Sequence, residues 1–250
     1  MKKILCFFIF FYTFSGYTQL LNPIQTDRPD QTECPFIVPI NYIQIENGFT
    51  IENENIKKNL AFPITLLKYG INDKVEIRMI TALSSLESEK IGLLPLTFGF
   101  KLNLLKEKGI LPTTSLITHL TSSNIGSRKY QSTYLAPSFR FTMQHTLSEK
   151  ATLGYNIGEE WNGETPDPTF IYTLTVGYSF PSNFGSYIEM YGTKPHQQNF
   201  EHKFDGGLTY LVGQNLLFDI SGSIGLSKIH PSNYISLGCS FRFNTIRSTK

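Results

Sequence analysis

Strict alternation of apolar and polar residues, repeated along most of the chain, is the feature that most limits its fold. Between Thr133 and His145 one parity is largely apolar and the other is polar, and the pattern recurs in residues 169–180 and 234–243. Such alternation predicts β-strands that each carry one apolar and one polar face. The fold class that we expect is all-β.

Twelve alternating segments follow one another between residues 40 and 243. They are predicted as strands at 40–52, 60–70, 74–84, 94–106, 110–121, 132–146, 150–161, 168–180, 184–194, 201–213, 215–226 and 232–243. They run about 10–14 residues, which suits a tilted strand that crosses a membrane. Short turns alternate with longer polar loops, as in outer-membrane barrels. We therefore expect a transmembrane antiparallel β-barrel of about twelve strands, with both termini on the periplasmic side.

The composition agrees with a membrane barrel and excludes some partners. Only 17% of the residues are charged, against about 25% in typical globular proteins. The formal net charge is +2 and no basic block occurs, so nucleic acid is not an expected partner. A soluble β-sandwich is the alternative architecture, but its strands would be shorter.

Four regions are predicted along the chain. Residues 1–18 resemble a secretory signal peptide, with Lys2 and Lys3 before an apolar run. Residues 19–39 form an N-terminal segment that is either periplasmic or inserted into the lumen, residues 40–243 form the barrel, and residues 244–250 form a tail. Cys34 and Cys239 could pair in an oxidising compartment, although two free thiols are the preferred interpretation.

If the apolar parity faces lipid, the other parity lines the lumen. The charged residues predicted to line a transport path are Glu46, Lys68, Glu76, Arg78, Lys101, Arg140, Glu189, Asp205, Asp219 and Arg242. Because both signs are present, we expect ion pairs across the interior. These residues either hold the wall rigid or set which solutes pass.

The N-terminal motif is a second candidate site and comprises Asp27, Arg28, Pro29, Asp30 and Glu33. Its prolines keep it out of a sheet interior. The motif is either part of a periplasmic tether or part of a plug, in which its charges pair with wall residues such as Arg78 or Arg140. An open, a constricted and a plugged lumen are all compatible with twelve strands.

Several stretches resemble a known family of outer-membrane barrels. The opening TDRPDQTE at residues 26–33 is followed by Val38-Pro39, and the likeness continues through residues 42–49, 67–78 and 205–210 to the closing Phe241-Arg242-Phe243. The sequence is similar in these stretches to the transporter family named for the meta-pathway of phenol degradation. The resemblance implies passage of small molecules across the outer membrane, with aromatic and apolar compounds as candidates.

Enzymatic chemistry has little support in the sequence. The phosphate-loop, zinc-protease, nucleophile-elbow and C-x-x-C motifs are absent. We expect no cofactor, no metal and no catalytic residue, and we expect the lipid bilayer, a small solute and the barrel-assembly machinery as partners. The alternatives are a surface barrel that displays its loops without transport and an outer-membrane lipid hydrolase built around His145.

Overall fold

Twelve long strands form one antiparallel sheet that closes on itself. A computed structural model of the chain describes residues 22–54, 57–86, 91–226 and 232–246. In chain order the strands are β1 (Tyr42–Glu54), β2 (Lys57–Asn72), β3 (Val75–Leu86), β4 (Gly92–Leu93), β5 (Thr97–Leu105), β6 (Thr113–Thr121), β7 (Ala136–Thr146), β8 (Ala151–Glu160), β9 (Thr169–Ser179), β10 (Phe184–Pro195), β11 (Glu201–Val212), β12 (Leu216–Gly225) and β13 (Ser232–Asn244). Each long strand pairs with the next long strand, and β1 also pairs with β13, which closes the barrel.

The remaining regular elements are small. The two-residue strand β4 pairs with β3, and Arg128–Tyr130 forms one 3₁₀ turn. Among the residues that the structure describes, none belongs to a helix long and apolar enough to cross a membrane. The predicted signal peptide, residues 1–18, lies outside the described residues.

All twelve predicted strands are present, so the expected barrel is confirmed, although several strand ends differ. Strand β6 begins at Thr113 rather than residue 110, because Lys108 and Leu111 pair with each other in a separate turn. Strand β7 begins at Ala136 rather than residue 132, because Tyr134 bonds to the loop residue Gly163 instead. The predicted strand bounds leave residues 53–59 between the first two strands, which is too long a connection, because pairing continues from Glu54 to Lys57 and leaves only residues 55–56 between β1 and β2.

The barrel carries its apolar residues outside and its polar residues inside. Exposed apolar side chains on the strands include Ile77, Phe98, Phe100, Phe141, Leu174, Val176, Ile188, Met190, Leu208, Phe218, Ile220 and Leu237. The buried side chains are mostly Ser, Thr, Asn, Gln and charged residues. This inverted arrangement is typical of barrels that span a membrane, because the outer wall faces lipid while the lumen is polar.

Aromatic pairs lie on the wall near both barrel ends. Tyr178 and Phe180 have ring centroids 4.9 Å apart near the short turn at residues 180–183, and Phe170 and Phe200 are 6.4 Å apart near the opposite end. Aromatic girdles of this kind mark the two membrane interfaces. The distance between these two ends therefore corresponds to the membrane-spanning height of the wall.

Both ends of the barrel sheet lie on the same side. Tyr42, at the start of β1, pairs with Asn244, at the end of β13, and Thr245 donates to the Asn41 carbonyl. The short turns 73–74, 147–150, 180–183 and 213–215 lie at this same end because the strands alternate in direction. Residues 22–41 precede β1 here and determine what fills the lumen.

Candidate functional site in the lumen

Residues 22–41, which we call the inner loop, run through the inside of the barrel. The Val38 amide donates to Glu76 on β3 at 2.8 Å, and the Gln31 amide donates to Glu189 on β10 at 2.7 Å. Strands β3 and β10 lie six positions apart in the ring of twelve. One segment can contact opposite walls in this way only from the interior.

The inner loop enters and leaves the lumen at the short-turn end. Ile24 donates its amide to the Gln214 carbonyl at 2.9 Å, and Asn41 donates to the Gly70 carbonyl at 3.1 Å. A Cβ atom on Gly70 would lie 2.2 Å from the carbonyl oxygen of Val38, so a side chain there would block the exit of the loop. The inner loop is therefore bonded to the barrel at both of its ends.

Asp27 is the centre of the contacts between the inner loop and the wall. Its Oδ2 lies 3.0 Å from Lys68 Nζ and 2.9 Å from Arg78 Nη2, and its Oδ1 lies 2.9 Å from Lys101 Nζ. The same Oδ1 accepts the Cys34 amide at 3.0 Å, which ties the two halves of the loop together. One buried carboxylate thus bridges three wall cations on β2, β3 and β5.

Glu33 extends this network as far as β7. Its Oε2 lies 2.6 Å from Arg78 Nη1, and its Oε1 lies 3.4 Å from Arg140 Nη1 on β7. Arg78 has a third carboxylate neighbour, because Glu76 Oε1 lies 3.9 Å from Arg78 Nε. Asp27 and Glu33 therefore both pair with Arg78, and Glu33 also pairs with Arg140. These are the two arginines that the sequence analysis named as partners of the motif.

Glu46 on β1 holds the backbone of the motif. Its carboxylate accepts the amides of Asp27 and Arg28 at 3.0 and 3.2 Å, and it lies 2.5 Å from Lys68 Nζ. Gln44, one inward position earlier, donates to the Gln25 carbonyl at 2.7 Å. Backbone and side chains of the loop are thus both fixed by wall residues.

Arg28 packs into a niche made by two glycines. Its Nη2 donates to Asp219 Oδ1 and to Ser236 Oγ, both at 2.9 Å. A Cβ atom on Gly48 would lie 2.1 Å from Arg28 Nη1, and one on Gly238 would lie 2.6 Å from Arg28 Nε. The guanidinium can approach the wall because these two positions carry no side chain.

The wall residues determine the ionisation of the inner loop. Burial alone would raise the pKa of Asp27, but Lys101, Lys68 and Arg78 hold it well below its usual range. Burial likewise opposes ionisation of Glu33, yet Arg78 and Arg140 lower its pKa to about 2. Both acids are therefore charged at neutral pH.

Asp30 and Cys34 behave differently from these two acids. Burial and the neighbouring Glu189 carboxylate raise the pKa of Asp30 well above its ordinary value. Burial raises the pKa of the Cys34 thiol to about 12, so this thiol stays neutral and is not an activated nucleophile. Cys34 and Cys239 are both free.

All ten wall residues predicted to line a transport path face the interior; nine of them are buried and Arg140 is partly exposed. Glu46, Lys68, Glu76, Arg78, Lys101, Arg140 and Asp219 meet the inner loop through ion pairs or hydrogen bonds, Glu189 accepts the Gln31 amide, and Arg242 donates to the Asn22 carbonyl. Asp205 instead accepts the Tyr234 hydroxyl at 2.5 Å. In the motif, Pro29 is buried between Arg28 and Asp30.

Sequence reasoning missed the glycines and small hydroxyl residues that shape the site. Gly48, Gly70 and Gly238 all occupy inward positions of their strands, where the pattern otherwise places polar side chains. Ser115 and Thr173 also bond to the inner loop. A glycine that interrupts a row of inward polar residues is the signal that could have located the loop.

A cavity of about 530 Å³ remains beside the inner loop, toward the short-turn end. Strands β7–β12 form one side and the inner loop forms the other. Its lining includes Asp30, Thr32, Thr175, Tyr187 and Thr209. The lumen is thus occupied on the β1–β6 side and partly empty on the opposite side.

His145, the residue considered for lipid hydrolysis, faces outward. Its Nε2 lies 3.3 Å from the Tyr155 hydroxyl, and its Nδ1 lies 3.9 Å from Glu107. Among the described residues, no serine hydroxyl bonds to this imidazole. The structure does not assemble a serine–histidine pair here.

Comparison with known families and folds agrees with this architecture. The family model described as "Putative MetA-pathway of phenol degradation" matches residues 26–243. The chain belongs to this family. No curated protein matches the sequence.

Solved structures share the fold at low sequence identity. An outer membrane channel from Pseudomonas putida F1 superposes with a TM-score of 0.65 at 11% identity, covering 86% of this chain and 99% of that chain. The NanC porin gives 0.56 at 9% identity, with 80% and 98% covered, and the KdgM porin gives 0.55 at 8%, with 79% and 99% covered. With its closed barrel and apolar outer face, this member of the family is an outer-membrane β-barrel.

Proposed function

We propose that the protein is a passive outer-membrane channel in which small molecules diffuse past the inner loop. The observation that carries this proposal is the cavity of about 530 Å³ between the inner loop and β7–β12. Twelve strands enclose more space than the eight-stranded barrels that side chains fill. Solved structures with this fold are named as a channel and as porins, which supports transport.

The inner loop acts as the constriction in this proposal. Its ion pairs with Lys68, Arg78 and Lys101 hold it against one wall, so that the space on the other side has a defined width. The solute is selected by size and by the polar groups that line this space. Small molecules are the proposed solutes, and the family description makes aromatic and apolar compounds candidates.

No catalytic residue and no cofactor enter this mechanism. In this proposal both ends of the described chain face the periplasm, because the short turns of outer-membrane barrels lie on that side. Insertion would depend on the barrel-assembly machinery. Residues 22–39, the described part of the predicted N-terminal segment, then correspond to its lumen-inserted form.

Single-channel recording of the refolded protein in a planar bilayer tests the proposal. We expect discrete conductance that falls when Thr175 is replaced by Phe, because Thr175 lines the cavity. The control is Leu174→Phe, which enlarges the neighbouring side chain on the outer face. The proposal would be overturned by a folded barrel that shows no conductance, or by conductance that is unchanged in the Thr175→Phe variant.

A barrel that displays its loops without transport is the second candidate. It is favoured by the number of hydrogen bonds that fix the inner loop, because the loop is bonded to the wall at both of its ends and to strands on opposite sides of the barrel. A loop held in this way would block passage. The recording separates the two candidates: a silent barrel with the correct fold supports display. Binding of the folded protein to surface proteins would then replace conductance as the assay.

A further inference from the structure

The strands that border the cavity of about 530 Å³ contribute no charged side chain to its lining. Among the described strand residues that line it, none is Asp, Glu, Lys or Arg. Their polar groups are hydroxyls and an amide, and the inward-facing ones include Gln144, Thr152, Thr175, Ser179, Tyr187 and Thr209. On the strand side, the cavity is therefore bordered by groups that form hydrogen bonds but carry no charge.

The inner loop adds little net charge from the other side. Its ionisable residues in the lining include Arg28, Asp30 and Glu33. Arg28 lies 2.9 Å from Asp219 and Glu33 lies 2.6 Å from Arg78, so both charges have an opposite partner. Burial and the neighbouring carboxyl group of β10 raise the pKa of Asp30 well above its ordinary value, which favours the uncharged acid. An uncharged carboxyl group both donates and accepts a hydrogen bond.

Glycines create the space and leave hydroxyl groups uncovered. The lining includes three inward glycines, each of which lies between two polar residues of the adjacent strands. Gly154 pairs with Gln144 and Thr175, Gly177 with Thr152 and Tyr187, and Gly185 with Ser179 and Thr209. A Cβ atom on Gly185 would lie 2.5 Å from Thr209 Oγ1, and one on Gly177 would lie 2.9 Å from Thr152 Oγ1. Because no side chain covers them, both threonines are only half-buried.

A lining of this kind treats neutral and charged solutes differently. A hydroxyl group donates and accepts hydrogen bonds, so Thr152 and Thr209 can replace water around a solute hydroxyl in either role. An ion that leaves water needs an opposite charge to offset its lost hydration. The charged groups of the lining are already paired or neutral, so a charged solute finds no such partner here.

We infer that the cavity passes uncharged solutes that carry several hydroxyl groups, in preference to charged solutes of the same size. This inference rests on the proposed channel function and adds the class of solute to it. Several hydroxyls fit best because the polar groups of the lining come from five strands, β7–β11. The volume lies within the range of about 300–1,000 Å³ that small-molecule sites have.

Release of labelled solutes from vesicles tests the inference in the refolded protein. The probes are galactose, galacturonate and galactosamine, which share one ring and differ in charge. The assay is run at about pH 6, at which an amino group keeps its proton, and KCl on both sides balances any charge that moves. We expect galactose to leave about tenfold faster than either charged analogue, which corresponds to about 1.4 kcal/mol.

Two variants remove hydroxyl groups from the lining and keep its width. Thr152→Val and Thr209→Val each replace a hydroxyl by a methyl group, and each should slow galactose release by about threefold through one lost hydrogen bond. The double variant should slow it by about tenfold and leave the conductance in KCl unchanged. Thr118→Val is the control, because Thr118 lies in register with Phe100 and Phe139 on the outer face.

The outcomes separate the inference from the channel function. Charged analogues that leave as fast as galactose would overturn the inference and leave the channel function standing. Galactose release that is unchanged in the double variant would do the same, as would conductance in KCl without release of any of the three probes. A correctly folded barrel that shows neither conductance nor release would overturn both the inference and the channel function.

Discussion

The guanidinium of Arg28 lies directly against the backbone of Gly238, where a Cβ atom would be 2.6 Å from Arg28 Nε and 2.2 Å from Asp219 Oδ2. The inner loop can pack this closely against the wall because Gly238 has no side chain. Because Arg28 and Asp219 form an ion pair at this point, a single methyl group would disturb both partners. This relationship leads to the first prediction.

Replacing Gly238 by Ala should displace Arg28 from its niche. Inserting a methyl group into a packed interior costs about 1–3 kcal/mol, and the loop should loosen. We expect a lower free energy of unfolding in urea and noisier single-channel current. Gly222→Ala is the control, because a Cβ atom there meets its nearest neighbour at 3.4 Å. If Gly238→Ala and Gly222→Ala show the same free energy of unfolding and the same current noise, the close packing of Arg28 against Gly238 is contradicted.

Replacing Asp27 by Asn should release the inner loop from β2, β3 and β5. The substitution leaves Lys68, Arg78 and Lys101 buried without their shared carboxylate, and breaking a buried ion network costs about 3–5 kcal/mol. Hydrogen exchange should accelerate at the Val38 amide, which is held by Glu76.

Asp73→Asn, in the exposed turn between β2 and β3, is the matched control for this experiment. It removes one carboxylate without touching the interior. Unchanged exchange at Val38 in the Asp27 variant would show that Asp27 does not hold the loop.

Acid should release the loop within a defined pH range. The pKa of Glu33 is about 2 in the folded protein, below its ordinary 4.5, so the folded state binds this proton less readily than the unfolded chain. The stabilisation by Glu33 is complete above pH 4.5 and is lost as the pH falls toward 2. The pKa of Asp27 is lowered as well, so it contributes in the same direction.

Thermal unfolding in detergent between pH 7 and pH 2 measures this effect, with Glu33→Gln as the comparison. The variant should lose part of the acid dependence because it has no carboxyl group at this position. A melting temperature with the same pH dependence in both proteins would argue against the contribution of Glu33.

Placing a charge on the outer face should impair membrane insertion. Ile220 faces outward in the middle of β12, and a lysine at the bilayer midplane costs about 2–4 kcal/mol. We expect Ile220→Lys to lower the free energy of folding into lipid vesicles by that amount. Ile110→Lys should have little effect, since Ile110 is 92% exposed in the connection between β5 and β6. A similar small effect at both sites would contradict the lipid-facing assignment.

The local sequence pattern determined the barrel wall. Alternation with period two assigns each residue of a strand to one face, so the inward positions of Lys68, Arg78, Lys101 and Glu189 follow from neighbours in sequence alone. The family resemblance rested on the TDRPDQTE opening and on several strand stretches, and the family match over residues 26–243 confirms it.

Only the tertiary structure decided where the inner loop lies and which charges it meets. Asp27 and Lys101 are 74 residues apart, and Glu76 and Glu189 come to face the same loop only because the ring of strands closes. Charge and proline content fit a tether as well as a plug, since neither feature encodes distance. The wall follows from local periodicity, whereas the contents of the lumen depend on long-range geometry.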